Sequence, residues 1–258
     1  EIITWNCEFF PAADDSTIEA LSEIILDMDV DIIAFQEIRK FGWFSQMMNF
    51  LPAYSYQFSQ QTSFMGMAII YKTDRIKLEG HLEPFLEDDY HFAGRPPLHI
   101  DLLYSKNDEE FPISIINLHM KCCDSGLERR KRASSMLYNY VNKLYEHNKN
   151  IIVLGDWNDD LKDNKGEHCF DPFFNDDRFY FTNHKIVDDI KQASYPKEPY
   201  VSFLDHILTT ESFVNSNSDY LTSTIDMGNY MGGFDIYESY ISDHFPVLFK
   251  VDLNNIKK

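Results

Sequence analysis

Ile151-Ile152-Val153-Leu154-Gly155-Asp156-Trp157-Asn158 is the stretch on which the fold turns. Four apolar residues in a row leave no polar face, as in a short strand buried on both sides. A glycine ends the run, and an acid, an aromatic and an amide follow at once. The same grammar recurs: Ile2 to Trp5 leads into Asn6-Cys7-Glu8, Ile32 to Phe35 into Gln36-Glu37, and Ile113 to Leu118 into His119. Further apolar runs at Met67 to Tyr71, Leu98 to Tyr104, Ile207 to Leu208 and Val247 to Val251 also read as buried strands, and the late motifs Asp205-His206 and Asp243-His244 carry the same polar types. Loops at one edge of a rigid sheet are where catalytic groups are usually mounted. This set combines hard oxygen donors suited to magnesium with imidazoles suited to proton transfer.

Two segments have helical period instead. Ile18, Leu21, Ile25 and Met28 share one face, and Ser16 with Glu19 has the spacing of a capping box. After Gly126, Ala133, Leu137, Tyr140, Val141 and Leu144 form a second apolar stripe. Extended backwards by a turn, that stripe passes through Arg129 and Arg130, while Lys131 and Arg132 are expected to face water. Strands and helices mixed along the whole chain predict an α/β layered architecture. The Asp-, Asn- and Phe-rich stretch from Asp159 to Asn183 is the best boundary candidate, but strands resume after it, so one domain over residues 1–258 is expected.

The 258 residues carry 42 Asp and Glu against 23 Lys and Arg, a formal charge of -19, which excludes a basic nucleic-acid coat. A chain that is 44% apolar can bury a core, and its apolar runs fall far short of the roughly 20 residues that span a bilayer. Residue 1 is Glu rather than Met, which suggests a trimmed chain; with the acidic surface, we expect a soluble, exported or otherwise extracytoplasmic protein. Cys7, Cys122, Cys123 and Cys169 lack zinc-like spacing. Two readings stay open for them: a bridge from Cys122 or Cys123 to Cys169, or four reduced thiols.

Taken singly, Asn6, Glu37 or Asp156 with Asn158 is ordinary turn or surface chemistry. Taken as an ordered set, Trp5-Asn6-Cys7, Gln36-Glu37, Asn117-Leu118-His119, Gly155-Asp156-Trp157-Asn158, Phe203-Leu204-Asp205-His206 and Ser242-Asp243-His244-Phe245-Pro246-Val247 resemble the endonuclease/exonuclease/phosphatase superfamily. Its members include pancreatic-type deoxyribonuclease, abasic-site endonucleases, inositol polyphosphate 5-phosphatases and neutral sphingomyelinases. The resemblance implies a four-layer sandwich, two packed mixed β-sheets flanked by helices, and divalent-metal-dependent hydrolysis of phosphate esters. It implies that Glu37 is the principal ligand of Mg²⁺ (or Mn²⁺ or Ca²⁺), with Asn6 and Asp243 near the same ion. Asp156 and Asn158 would position the water and hold the phosphate, His244 would pair with Asp205, and His119 would meet the phosphate from the other side. Arg95 and then Lys121 are further phosphate-binding candidates, a guanidinium being suited to bidentate contact. The carboxylate that supports the histidine in some relatives is not evident in Gln60-Gln61-Thr62-Ser63, and His206 receives no role.

Attack of water on a phosphodiester builds charge on the phosphoryl and leaving oxygens, which a cation neutralises while a base near neutral pKa takes the proton. His244 and Asp156 both qualify as that base. A nuclease or other phosphodiesterase that binds DNA or RNA transiently is the leading expectation, as a monomer. A phosphomonoesterase on inositol or other small phosphates would want more basic residues, and a sphingomyelinase-like enzyme an apolar insertion. A catalytically silent binding module is the reading from another class. Trp157, the Phe41 to Phe44 cluster, Tyr195 and Tyr200 are the aromatic candidates for stacking a base.

Overall fold

A computed structural model describes residues 1–60, 65–106, 109–214 and 219–253. Gln61, Thr62 and Ser63, where the histidine-supporting carboxylate of some relatives is not evident, therefore lie outside the described residues. Strands β1 (Ile2–Phe10), β2 (Ile32–Ile38), β3 (Tyr54–Phe58) and β4 (Gly66–Lys72) join β11 (Tyr220–Thr224) and β12 (Val247–Val251) in one sheet, in the order β11-β12-β1-β2-β4-β3. The second sheet runs β5 (Ile76–Leu82), β6 (Leu98–Lys106), β7 (Glu109–His119), β8 (Ile151–Asp156), β10 (Asp205–Thr210) and β9 (Phe179–Phe181).

Each sheet contains a parallel pair, and a parallel pair needs a crossover. Helix α1 (Asp15–Met28) joins β1 to β2, and α3 (Leu127–Tyr145) joins β7 to β8. Ile18, Leu21 and Ile25 pack α1 onto the outer face of the first sheet together with Phe44 of the short helix α2 (Phe41–Met48). Ala133, Leu137 and Val141 pack α3 onto the outer face of the second sheet. Between the sheets lies a third apolar cluster that includes Ile32, Ile69, Ile100, Ile115, Ile152 and Ile207. The layers are therefore helix, sheet, sheet, helix.

One local expectation is corrected. Ser16 lies inside α1 rather than capping it; Asp14 stands at the cap position without a side-chain bond. The Thr17 hydroxyl accepts the Ala13 N–H at 2.7 Å and donates to Tyr240 O, tying the first turn to the body of the protein.

Candidate active site

Period two carries the inter-sheet layer into the site. On β1, Ile2 belongs to the central core and Thr4 and Asn6 follow on the same side, while Ile3 and Trp5 pack outward. On β2 the inward series is Ile32, Ala34, Gln36; on β7 it is Ile113, Ile115, Asn117, His119; on β8 it is Ile152, Leu154, Asp156. Each series is apolar at its start and polar at its end. The two sheets are sewn together where the change occurs, since Gln36 Nε2 donates to Asn117 Oδ1 at 2.7 Å and Asn117 Nδ2 to Phe35 O at 2.9 Å. Both amides are buried and hydrogen-bonded, as an amide in a low-dielectric layer must be.

Glu37 leaves this alternation. It has φ 61, and the β2–β4 register shifts between Phe35 and Ile38, so its carboxylate turns into the cleft instead of following Phe35 outward. The neighbouring strand is broken in step: Glu8 and Phe9 have positive φ, and Phe9 N–H donates to Glu37 Oε2 at 3.1 Å. Asn158, after β8, also has positive φ. Backbone strain of this kind collects where a site needs it. Asn6 Nδ2 donates to Glu37 Oε1 at 3.3 Å and to Asp156 Oδ2 at 2.9 Å, holding the two carboxylates apart, while its Oδ1 accepts from Glu8 N. His119 Nε2 lies 3.5 Å from Asp156 and 3.8 Å from Glu37.

Asp205 and His244 form a buried pair, with Nδ1 and Oδ2 2.7 Å apart. Ser194 Oγ accepts the N–H of Asp205, and Ser242 Oγ accepts the N–H of His244 and donates to Asn6 O. Beneath them Tyr237 accepts from Trp5 Nε1 at 2.9 Å and donates to His244 O. Sequence reading gave no role to Ser194, Ser242 or Tyr237. Ser242 stands in a quoted motif, but Tyr237 meets Trp5 across 232 positions, and nothing local announces it.

These groups line, or lie just behind, one open cleft of about 860 Å³. Glu37, His119, Asp156, Asn158, Asp243 and His244 are on its surface, as are Arg95, Lys121 and Tyr200, whereas Asn6 and Asp205 are behind it. Arg95 is placed differently from the bidentate expectation: Nε donates to His119 O at 3.2 Å and Nη2 to Met120 O at 2.7 Å, so the guanidinium mainly secures the end of β7. Asn158 Nδ2 reaches Met120 O as well. Of the two arginines on the extended stripe, Arg130 lies in the cleft wall and bonds Asp159 at 3.0 Å, while Arg129 stacks on Tyr90. His206 is structural, its ring held between Asn183 and Asp159 O. Trp157 is fully buried among Phe170, Phe173 and Phe181 and cannot stack a base. Tyr195 packs on His244, and Tyr200 is exposed on the rim.

The electrostatics are those of carboxylates crowded out of water. Burial, and then the charge of Asp205, push Asp156 up to about 7. Burial works against the His244 imidazolium, but Asp205, helped by Asp156 and Asp243, outweighs it and raises the ring to about 10. Burial and then Arg95 pull His119 well down, and its buried Nδ1 meets no partner among the described residues. Such a floor suits a hard divalent cation: Glu37 and Asp156 offer carboxylate oxygens, Arg95 is turned to backbone carbonyls, and the Asp205 Oδ1 atom is buried without a donor among the described residues. Two further groupings of three donors occur among the described residues. Asp156, Asp205 and His244 are already closed by the Asp205–His244 bond, and Glu8, Glu238 and Asp243 have Lys197 among them.

A layered sandwich with a polar cleft at the strand ends, built from carboxylates, amides and imidazoles, is an arrangement suited to metal-dependent phosphoester hydrolysis. A profile of the endonuclease/exonuclease/phosphatase family matches residues 3–244, and the chain belongs to that family. No curated protein matches it by sequence. Among solved structures it is similar to D. rerio TDP2 complexed with single-strand DNA product (16% identity, TM-score 0.70, 97% of this chain and 98% of that one). It is similar also to a Bacteroides thetaiotaomicron mannosyl-6-phosphatase (18%, 0.69, 97% and 98%) and to the human Nocturnin catalytic domain with bound sulfate (18%, 0.67, 97% and 94%). At these identities the likeness is one of fold.

Proposed function

We propose that the protein hydrolyses phosphodiesters, with a nucleic-acid strand or a fragment of one as substrate. The observation that carries the reading is the convergence of Glu37, His119, Asp156 and the Asp205–His244 pair on one cleft floor. Glu37, with Asn6 beside it and Asp243 on the same cleft, would hold Mg²⁺. The bound cation supplies Lewis-acid neutralisation of charge on the phosphoryl oxygens. Asp156, fixed by the Asn158 N–H at 2.8 Å and by Asn6, orients the attacking water. His244, its Nδ1 held by Asp205, presents Nε2 to a phosphoryl oxygen, and His119 and Asn158 bound the other side. Lys121 contributes the positive charge that Arg95, bonded to carbonyls, does not.

Charge favours a diester over a monoester. Nine acidic residues line the cleft against Arg95, Lys121 and Arg130. A diester brings a single negative charge to them and a monoester brings about two near neutral pH. The neighbour solved with a single-strand DNA product supports the nucleic-acid reading. The mannosyl-6-phosphatase neighbour supports the second reading, a small sugar phosphate. The test sets a phosphodiester reporter and single-stranded oligonucleotides of DNA and RNA against mannose 6-phosphate and an inositol phosphate, with Mg²⁺, Mn²⁺ or Ca²⁺, in the wild type and Glu37→Gln. We expect diester cleavage that needs metal and is lost in Glu37→Gln. Cleavage of monoesters alone would overturn the diester reading, and inactivity with every metal would favour a silent binding module.

A further inference from the structure

The loop after His119 carries two residues that hydrolysis leaves unused. Cys122 and Cys123 line the cleft with their Sγ atoms 3.0 Å apart, and Lys121 Nζ lies 3.2 Å from Cys122 Sγ. The loop is held in this form by the buried Arg130, which donates to Lys121 O at 2.9 Å and Cys123 O at 2.8 Å, and by Gly126 N–H on Cys123 O. Cys123 takes φ 68, unusual for a residue with a side chain, and its thiol is exposed. Burial opposes ionisation of Cys122, but contacts from the Cys123 thiol and the Lys121 ammonium outweigh it, so the thiol is lowered. Cys7 and Cys169 are the opposite case, deeply buried and pushed up by that burial.

We propose that Cys122 and Cys123 form a dithiol site on the cleft wall that reacts with low-molecular-weight disulfides, and that its closure frees the Lys121 ammonium for the substrate phosphate. The Cys122 thiolate attacks one sulfur of the disulfide, breaking its S–S bond and expelling one thiolate. Cys123 loses its proton and attacks Cys122 Sγ, forming the Cys122–Cys123 bond and expelling the second thiolate. Two electrons pass from the protein to the small disulfide, and two protons go to the two thiols released. The effect on Lys121 rests on the phosphate-binding role proposed above.

The test equilibrates the full chain with oxidised glutathione, blocks free thiols with iodoacetamide and weighs the peptides. The peptide carrying both residues should appear unalkylated and lighter by two hydrogens, with Cys123→Ser trapping a mixed disulfide at Cys122. Oxidised wild type should show a KM for the diester reporter lower by up to roughly fivefold, the ceiling set by removing one full unit charge from water-screened contact with an ammonium, and kcat should move less. The Cys122→Ser/Cys123→Ser variant should not respond. Thiols that stay alkylatable in excess oxidised glutathione, a bridge to Cys169, or an unchanged KM in fully oxidised protein would each overturn the proposal. The mass readout needs no turnover, so a failure of the hydrolysis reading is distinguishable from a failure of the dithiol.

Discussion

In the reading proposed above, His244 and Asp205 act as one unit, because the carboxylate anchors Nδ1, keeps the ring charged and leaves the Nε2 proton for the cleft. Removing either should cost the same step. We expect His244→Ala to lower kcat by about 10²- to 10³-fold, the usual cost of removing one preorganised donor to an oxygen on which charge develops. Asp205→Asn should lose a comparable factor, and the double variant little more than either single one. Steady-state kinetics on variants whose folding is checked by circular dichroism decide this; losses that multiply in the double variant would mean two independent roles. The residue scale also shows where sequence is readable. Asn6, His119 and Asp156 were visible as polar ends of apolar runs, since side-chain alternation brings them into the inter-sheet layer. The orientation of Glu37 was not, because it depends on a left-handed backbone that period two does not encode.

At the level of elements, the eight strands expected from apolar runs are present, and the four not expected, β3, β5, β9 and β11, are the four sheet edges. Interior strands such as β2, β4 and β8 are buried on both faces and read as nearly unbroken apolar runs. Edge strands such as β5, with burial alternating into exposure, do not. Packing between elements makes its own demand at Gly155, where φ is 141 and an added Cβ would stand 1.9 Å from Leu118 O on the paired strand β7. Gly155→Ala should therefore destabilise the fold by about 3 kcal/mol or more, combining backbone strain with a clash that backbone cannot relieve. Denaturant unfolding measures it, and a near-neutral result would mean the β7–β8 pair can separate. A second element-level prediction concerns pH. Arg178 first, and also the Arg178 backbone N–H and the Tyr138 hydroxyl, hold Asp176 at about 2, tying the segment before β9 to α3. A depressed carboxylate contributes stability that is fully present above its unfolded value near 3.9 and is lost as pH falls through about 2. Wild type should thus exceed Asp176→Asn in thermal stability at pH 5, and the gap should close as pH approaches 2; a gap that persists there would assign the difference to something other than the charge.

For the molecule as a whole, the charge of -19 and the acid-lined cleft set how substrate arrives. Long-range repulsion reaches about 10 Å at 0.1 M salt and shrinks as salt is added. A basic nuclease loses affinity with salt because cations on its surface compete with counterions for phosphates. This protein has the opposite surface, so added salt should relieve repulsion before it weakens the few contacts made at Lys121. The rate kcat/KM on a single-stranded oligonucleotide, at fixed saturating Mg²⁺, should rise from low to moderate KCl by up to roughly tenfold, the lower end of steering effects. A singly charged diester reporter carries too little charge to feel the same field strongly, so its kcat/KM should stay nearly flat over that range. Stopped-time assays with both substrates in one salt series separate the two behaviours. An oligonucleotide rate that falls with salt would show that local basic contacts outweigh the net field, and would place the substrate path along Arg129 to Arg132 rather than across the acidic wall.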